Sequence, residues 1–160
     1  MGLQNELGLP KPISPLEHEA ILNIYYTSNQ LRKKAAQFFR GYKVTDVQFN
    51  LLMLLKYQSG PEGGLTQVQL SRMLLVHRAN ITTLVDRMEK AGFVARLPVS
   101  TDRRYNLIKL TRQGIALVES VEEAYFGRVV EIMGTLSRDE MRSLMAMLER
   151  VRAQGERIEV

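Results

Sequence analysis

A capping-box pattern, Ser or Thr followed three residues later by Glu or Gln, stands at four well-separated places: SPLE at 14–17, TDVQ at 45–48, TQVQ at 66–69 and SRDE at 137–140. In such a box the first side chain accepts from the backbone N–H three residues on. The last side chain reaches back to the first residue's N–H, so two donors orphaned at a helix start are satisfied together. A chain punctuated in this way is committed to helices, and the residues behind each start agree. After the first box, Pro15 suits the first helical position, where its missing N–H costs nothing. Leu16, Ile21, Ile24, Tyr25, Ser28, Leu31, Ala35, Phe38 and Phe39 then keep one stripe as far as Gly41. Val47, Leu51, Leu54 and Leu55 carry the second helix until SGPEGG at 59–64 breaks it. That glycine-rich loop is no P-loop, because it follows no strand and lacks the Lys-Ser/Thr ending that cradles phosphate.

A short helix from Gln67 to about Leu74 follows, and after a tight connection comes another in which Ile81, Leu84, Val85 and Met88 sit at i, i+3, i+4 and i+7. Its opposite face presents Arg78, Thr82, Thr83, Asp86, Arg87 and Lys90 before Gly92 ends it. Residues 93–97 and 105–110 change period. They are rich in aromatic and β-branched side chains and bracket the turn-forming PVSTDRR, which predicts a hairpin with a basic tip at Asp102, Arg103 and Arg104. Thr111 is placed to cap the next helix, although Gly114 stands where a box would have Glu or Gln. Ile115, Val118, Val121, Tyr125, Val129, Ile132 and Met133 stripe that helix, and Met141, Leu144, Met145, Leu148 and Val151 stripe the last.

At 160 residues the chain is the size of one ordinary domain. It has no apolar run of roughly 18 residues that would span a bilayer, and its first residues lack the basic and apolar regions of an export signal. Glu6 stands where a myristoylation motif needs Ser or Thr. A soluble, cytoplasmic protein is expected. The absence of cysteine excludes disulfides, thiolate nucleophiles and iron–sulfur clusters. Only two histidines, His18 and His77, are available, with no recognised catalytic spacing, so an enzyme is not expected. The net charge of +5 is concentrated: between Thr66 and Arg112 nine basic residues face three acidic ones, and the remainder is slightly acidic. Such a basic middle segment is the electrostatic footprint of a nucleic-acid-binding face.

Short helix, tight turn, second helix with a polar face, then a basic hairpin is the order of a winged helix-turn-helix. A helix fits the major groove, where each base pair shows a distinct donor and acceptor pattern. A hairpin beside it can press an arginine into the narrow minor groove of A·T-rich DNA. LSRMLLVHRANITTLVDRMEKAGFVAR at 70–96 resembles the helix-turn-helix of the MarR family of bacterial transcription regulators. DRRYNLIKLTRQG at 102–114 resembles that family's wing, D-x-R followed by a strand ending in Leu-Thr-x-x-Gly.

The resemblance covers essentially the whole chain and implies a mainly α fold with a small β-hairpin wing. It implies one MarR-like domain over 1–160, with dimerisation helices at 14–40 and 115–155 and a winged helix-turn-helix DNA-binding module at 45–112. It further implies a homodimer on a pseudo-palindromic DNA operator, acting as a repressor and released by a small aromatic or apolar effector. Arg104 matches the arginine that enters the minor groove and Asp102 the carboxylate that orients it, with Arg103 beside them. On the recognition helix the DNA-facing positions are His77, Arg78, Asn80, Thr82 and Thr83, with Arg87 nearer the backbone. Two residues depart from the family pattern: Leu75 replaces a frequent turn glycine, and His77 replaces a capping Ser or Thr. Tyr25, Tyr26, Phe49 and Met53 are candidate effector-pocket walls, though Met and aromatic stripes at helical spacing usually pack in a core. No cofactor or metal is expected. Two alternatives stay open: a winged-helix module that binds protein rather than specific DNA, and a metal-responsive regulator using Glu17, His18 and Glu19, whose adjacent helical positions point in different directions.

Overall fold

The computed structural model describes residues 2–61, 63–74, 81–98 and 106–158. In chain order these form helices α1 (Leu3–Glu6), α2 (Leu16–Arg40) and α3 (Asp46–Tyr57), strand β1 (Leu65–Thr66), helices α4 (Gln67–Met73) and α5 (Ile81–Lys90), strands β2 (Val94–Pro98) and β3 (Asn106–Leu110), and helices α6 (Arg112–Met133) and α7 (Arg138–Gly155). The architecture is mainly helical with a small antiparallel sheet, as the sequence implies. Neither the single turn of α1 nor the two-residue β1 has enough periodicity to be read in advance.

Three of the four expected capping boxes form. Thr45 with Gln48, Thr66 with Gln69 and Ser137 with Glu140 each exchange both bonds, at the starts of α3, α4 and α7. The SPLE box does not. Helix α2 begins one residue later than its pattern requires, so Pro15 is the N-cap rather than the first helical residue and no side chain caps the start. The Pro15 carbonyl takes the first bonds, from the N–H groups of His18 and Glu19 at 3.0 and 3.2 Å. Glu17 is thereby shifted out of the position from which a box is closed.

Residues 1–115 form one compact unit. Its sheet runs in the order β1-β3-β2, both pairs antiparallel, with Leu65 opposite Ile108 and Arg96 opposite Ile108 from the other side. Helix α3 packs on α2, α4 and β3, while α5 packs on α4 and β2. Phe49, Leu51, Leu52, Leu65, Leu70, Val85, Met88, Val94 and Ile108 are all buried at this centre. Val94 at the start of β2 and the adjacent Leu107 and Ile108 of β3 supply the sheet's share of the core, and the helical spacing of buried residues on α3 and α5 supplies the helices' share.

Residues 116–160 form a second unit, made of most of α6 and all of α7. On α6, Val118 and Val121 are buried, whereas Phe126, Val129, Val130 and Ile132 are exposed. Helix α7 has 18 residues and buries none of them. Among the described residues no helix is long and apolar enough to cross a membrane.

Candidate nucleic-acid interface

Helix α5 is the most sharply two-sided element of its unit. Ile81, Val85 and Met88 are buried, and Thr82, Thr83, Asp86, Arg87 and Lys90 are exposed. The period of 3.6 residues divides the polar face further. Thr82, Asp86 and Glu89 lie along one row, spaced i, i+4, i+7, and Thr83, Arg87 and Lys90 lie along the next with the same spacing. One row is acidic and the other basic.

The acidic row is held from the sheet. On β2, the Arg96 guanidinium forks across two carboxylates, donating Nη2 to Asp86 at 2.5 Å and Nη1 to Glu89. The Arg96 backbone N–H donates to the same Glu89 carboxylate at 3.1 Å. Partial burial of Arg96 works against its charge, but the bonds to Asp86 and Glu89 and their Coulomb attraction outweigh it, so its pKa moves up from the ordinary arginine value. Arg96 therefore engages two of the three acids in the basic middle segment and offsets one of their two negative charges, while the neighbouring row of Thr83, Arg87 and Lys90 carries two exposed cations.

Past α5 the chain turns through Gly92, whose φ of +79° lies in the left-handed region that favours glycine. Thr111 then closes a clasp on this turn. Its hydroxyl donates to the Gly92 carbonyl at 2.6 Å and accepts the Gly114 N–H at 3.1 Å, and its own N–H donates to the Phe93 carbonyl at 3.1 Å. The cap expected at Thr111 is thus real, and it also ties the start of α6 to the end of α5. Gly114 occupies the capping-box position because a Cβ there would land on the Phe93 carbonyl oxygen. The Leu-Thr-x-x-Gly pattern has a steric cause.

Of the expected DNA-facing residues, Thr82, Thr83 and Arg87 are brought together on the exposed face of α5. His77, Arg78 and Asn80 of the recognition segment, and Asp102, Arg103 and Arg104 of the wing, lie outside the described residues. The last described pair of the hairpin is Pro98 with Asn106. Reading the sequence alone missed Arg96. The available signal was two acids at i and i+3 on one polar face, followed across a glycine turn by an arginine in a strand.

The four candidate effector-wall residues do not share one environment. Phe49 is buried in the core with its ring centroid 5.0 Å from that of Phe39. Tyr26 and Met53 are half-buried, and Tyr25 is exposed. None of them lines the open cleft of about 360 Å³ at the start of α2, where Leu9, Pro12, Ile13, His18 and Leu22 meet. Among the described residues no group of three or more His, Asp or Glu side chains is placed to hold a metal ion.

A helix pair, a third helix with an exposed basic row and a hairpin held against it define a winged helix-turn-helix protein. The sequence profile of the MarR family matches residues 42–104. The chain is similar to the HTH-type transcriptional regulator PecS of Dickeya dadantii, 32% identical over 113 residues that span 71% of this chain and 68% of PecS. It is also similar to the HTH-type transcriptional repressor YetL of Bacillus subtilis, 28% identical over 81% of this chain and 77% of that protein. Among solved structures it resembles a mutant MarR from E. coli complexed with operator DNA, with a TM-score of 0.70 and 25% identity over 94% of this chain and 99% of that one. The chain belongs to the MarR family and is a transcription regulator, not an enzyme.

Proposed function

We propose that this regulator binds a pseudo-palindromic operator as a homodimer, with α5 in the major groove and the arginine of the hairpin tip, Arg104, in the adjacent minor groove. The observation that carries this reading is the exposed Thr83, Arg87 and Lys90 row on α5 beside the hairpin base, its neighbouring carboxylates already engaged by Arg96. The hydroxyl of Thr83 and the guanidinium of Arg87 suit base edges and phosphates respectively. The operator complex of the E. coli relative and the repressor role of YetL favour DNA, and repression, over a protein-binding winged helix. The dimer is supported by the large apolar side chains left exposed on the long helices: Leu16, Tyr25 and Leu31 on α2, Phe126 and Val130 on α6, Met145 and Val151 on α7. Two modules on a two-fold axis would place their recognition helices about 34 Å apart, one turn of duplex.

Selecting operators from a random duplex pool with the purified chain, then measuring affinity against salt, tests the reading. Specific DNA binding is expected to weaken steeply as salt rises, because each neutralised phosphate releases counterions. A chain that enriches no sequence and binds a folded protein partner without salt dependence would be the protein-interaction module instead. An apolar or aromatic acid is the proposed effector class. Tyr25, Tyr26 and Met53 on α2 and α3 reach solvent, so contact with it is assigned to them; Phe49 belongs to the core behind. Thermal shift with benzoates and phenols, with and without the selected operator, tests this: an effector must bind the DNA-free arrangement more tightly than the DNA-bound one.

A further inference from the structure

Arg96 is not one of the residues expected to touch DNA, yet its guanidinium and its backbone N–H both bond to carboxylates of the recognition helix. We propose that it is a positioning residue with two roles, holding β2 and α5 as one reading unit and withdrawing Asp86 and Glu89 from the face that meets phosphate. The proposal rests on the DNA-binding reading above.

The first role follows from the geometry. Glu89 receives both the Arg96 side chain and the Arg96 backbone N–H, so the strand is held to the helix by its main chain as well as its charge. Arg96 sits two residues before Pro98, the last described residue of β2, and pairs in register with Ile108. A rotation of α5 in the major groove is therefore transmitted to the base of the hairpin. Arginine is required because its planar fork serves two carboxylates with two different nitrogens, which a lysine ammonium cannot do in the same geometry.

The second role follows from sequence position. Asp86 and Glu89 are spaced i, i+3 on the exposed side of α5, and the side chain of Asp86 is 57% exposed. Two bare carboxylates there would repel a duplex backbone. Paired with Arg96 they carry one net negative charge instead of two, and the two cations Arg87 and Lys90 outweigh it on the helix surface.

The two roles separate experimentally. Fluorescence anisotropy of the full-length chain is measured on the operator it selects, on versions altered at the A·T flanks, and on a random duplex of the same length. The chains are the parent, R96Q, R96K, and the triple variant D86N/E89Q/R96Q, each with its melting temperature recorded. R96Q is expected to weaken binding to the random duplex on the order of tenfold, the scale of a lost charge-assisted interaction. The triple variant regains most of that loss, because no carboxylate is left to repel phosphate. R96K keeps the charge and the random-duplex affinity but loses the preference for A·T flanks, which the triple variant also fails to recover.

A folded R96Q that binds every duplex like the parent overturns the inference. So does a triple variant as weak as R96Q, which removes the masking role, or an R96K with parental flank preference, which removes the positioning role. A parent that binds no duplex at low salt sinks the DNA-binding reading itself, and that arm is read before any variant. Because D86N/E89Q/R96Q removes the cation and both carboxylates together, it also serves as the folded control should R96Q alone melt early.

Discussion

Helices α5 and α7 are both amphipathic, but only one of them buries its apolar face within the chain. Helix α5 buries Ile81, Val85 and Met88 within ten residues, whereas α7 buries nothing in eighteen. The sequence patterns do not differ enough to predict this, since Met141, Leu144, Met145, Leu148 and Val151 are as regular as Ile81, Leu84, Val85 and Met88. What differs is where the complementary surface is. For α5 it is α4 and β2 of the same unit, and for α7 we place it on a second copy of the chain.

The contrast is broken most forcefully by truncation. Met88→Ala removes a fully buried side chain and is expected to cost about 2–5 kcal/mol, the usual range for a large core residue. Met145→Ala on α7, 56% exposed in the single chain, is expected to change the stability of a monomer by less than about 0.5 kcal/mol. Met145→Glu with Val151→Glu should leave each chain folded yet shift sedimentation toward the 18.3 kDa monomer. If that pair leaves the chain fully dimeric at micromolar concentration, α7 is not the dimer surface. If the parent is a stable monomer, the dimer itself is wrong and the two-half-site geometry goes with it.

The next largest effect concerns the clasp between α5 and α6. Gly114→Ala places a methyl group on the Phe93 carbonyl oxygen, and overpacking of that kind costs about 1–3 kcal/mol or more. Better helix propensity returns about 1 kcal/mol at most. A net loss of about 2 kcal/mol in urea titration is expected, and a neutral or stabilised variant would show that the approach of α6 to residue 93 is looser than described. Thr111→Val keeps the shape but loses the hydroxyl that bridges Gly92 and Gly114, and about 1 kcal/mol should go with it.

On the DNA-facing side, Arg104→Ala is expected to weaken operator binding by about 1–3 kcal/mol and erase the A·T flank preference. Arg87→Ala should weaken all duplexes alike and lower the salt slope by about 0.9, the contribution of one phosphate contact. Thr83→Ala, which carries no charge, should relax specificity with the slope nearly unchanged. A Thr83→Ala chain that changes the slope as much as Arg87→Ala would reverse the roles assigned to the two residues.

The smallest effect is electrostatic and lies at the start of α7. The Ser137 backbone N–H donates to the Glu140 carboxylate at 2.7 Å. That bond, then the bond with the Ser137 side chain, holds its pKa below the ordinary glutamate value. A depressed folded-state pKa means stability that is present above the unfolded pKa and lost as pH falls through the folded one. The first turn of α7 is therefore expected to fray below about pH 4. Glu140→Gln, which can still close the box, should remove that dependence. Hydrogen exchange at the amides of α7 between pH 3 and pH 6, two settings on either side of the ordinary value, would read it. Identical profiles for parent and variant would mean the carboxylate is not what holds the cap in acid.

The sequence by itself determined the elements whose causes are local. Three capping boxes, the glycine stop after α5 and the change from helical to strand period at residue 94 are decided within a few residues, by side chains that bond to their own backbone. The paired faces of α5 were legible for the same reason: burial and exposure there follow helix periodicity. SPLE failed because Pro15 took the cap position itself, a one-residue choice that the spacing of Ser and Glu does not settle. Only the tertiary structure could decide the rest. Arg96 meets Asp86 and Glu89 across ten and seven residues, Thr111 meets Gly92 across nineteen, and β1 exists only because β3 lies beside it. Such partners are brought together by packing of the core between them, and no local spacing states which of many possible neighbours the folded chain will choose.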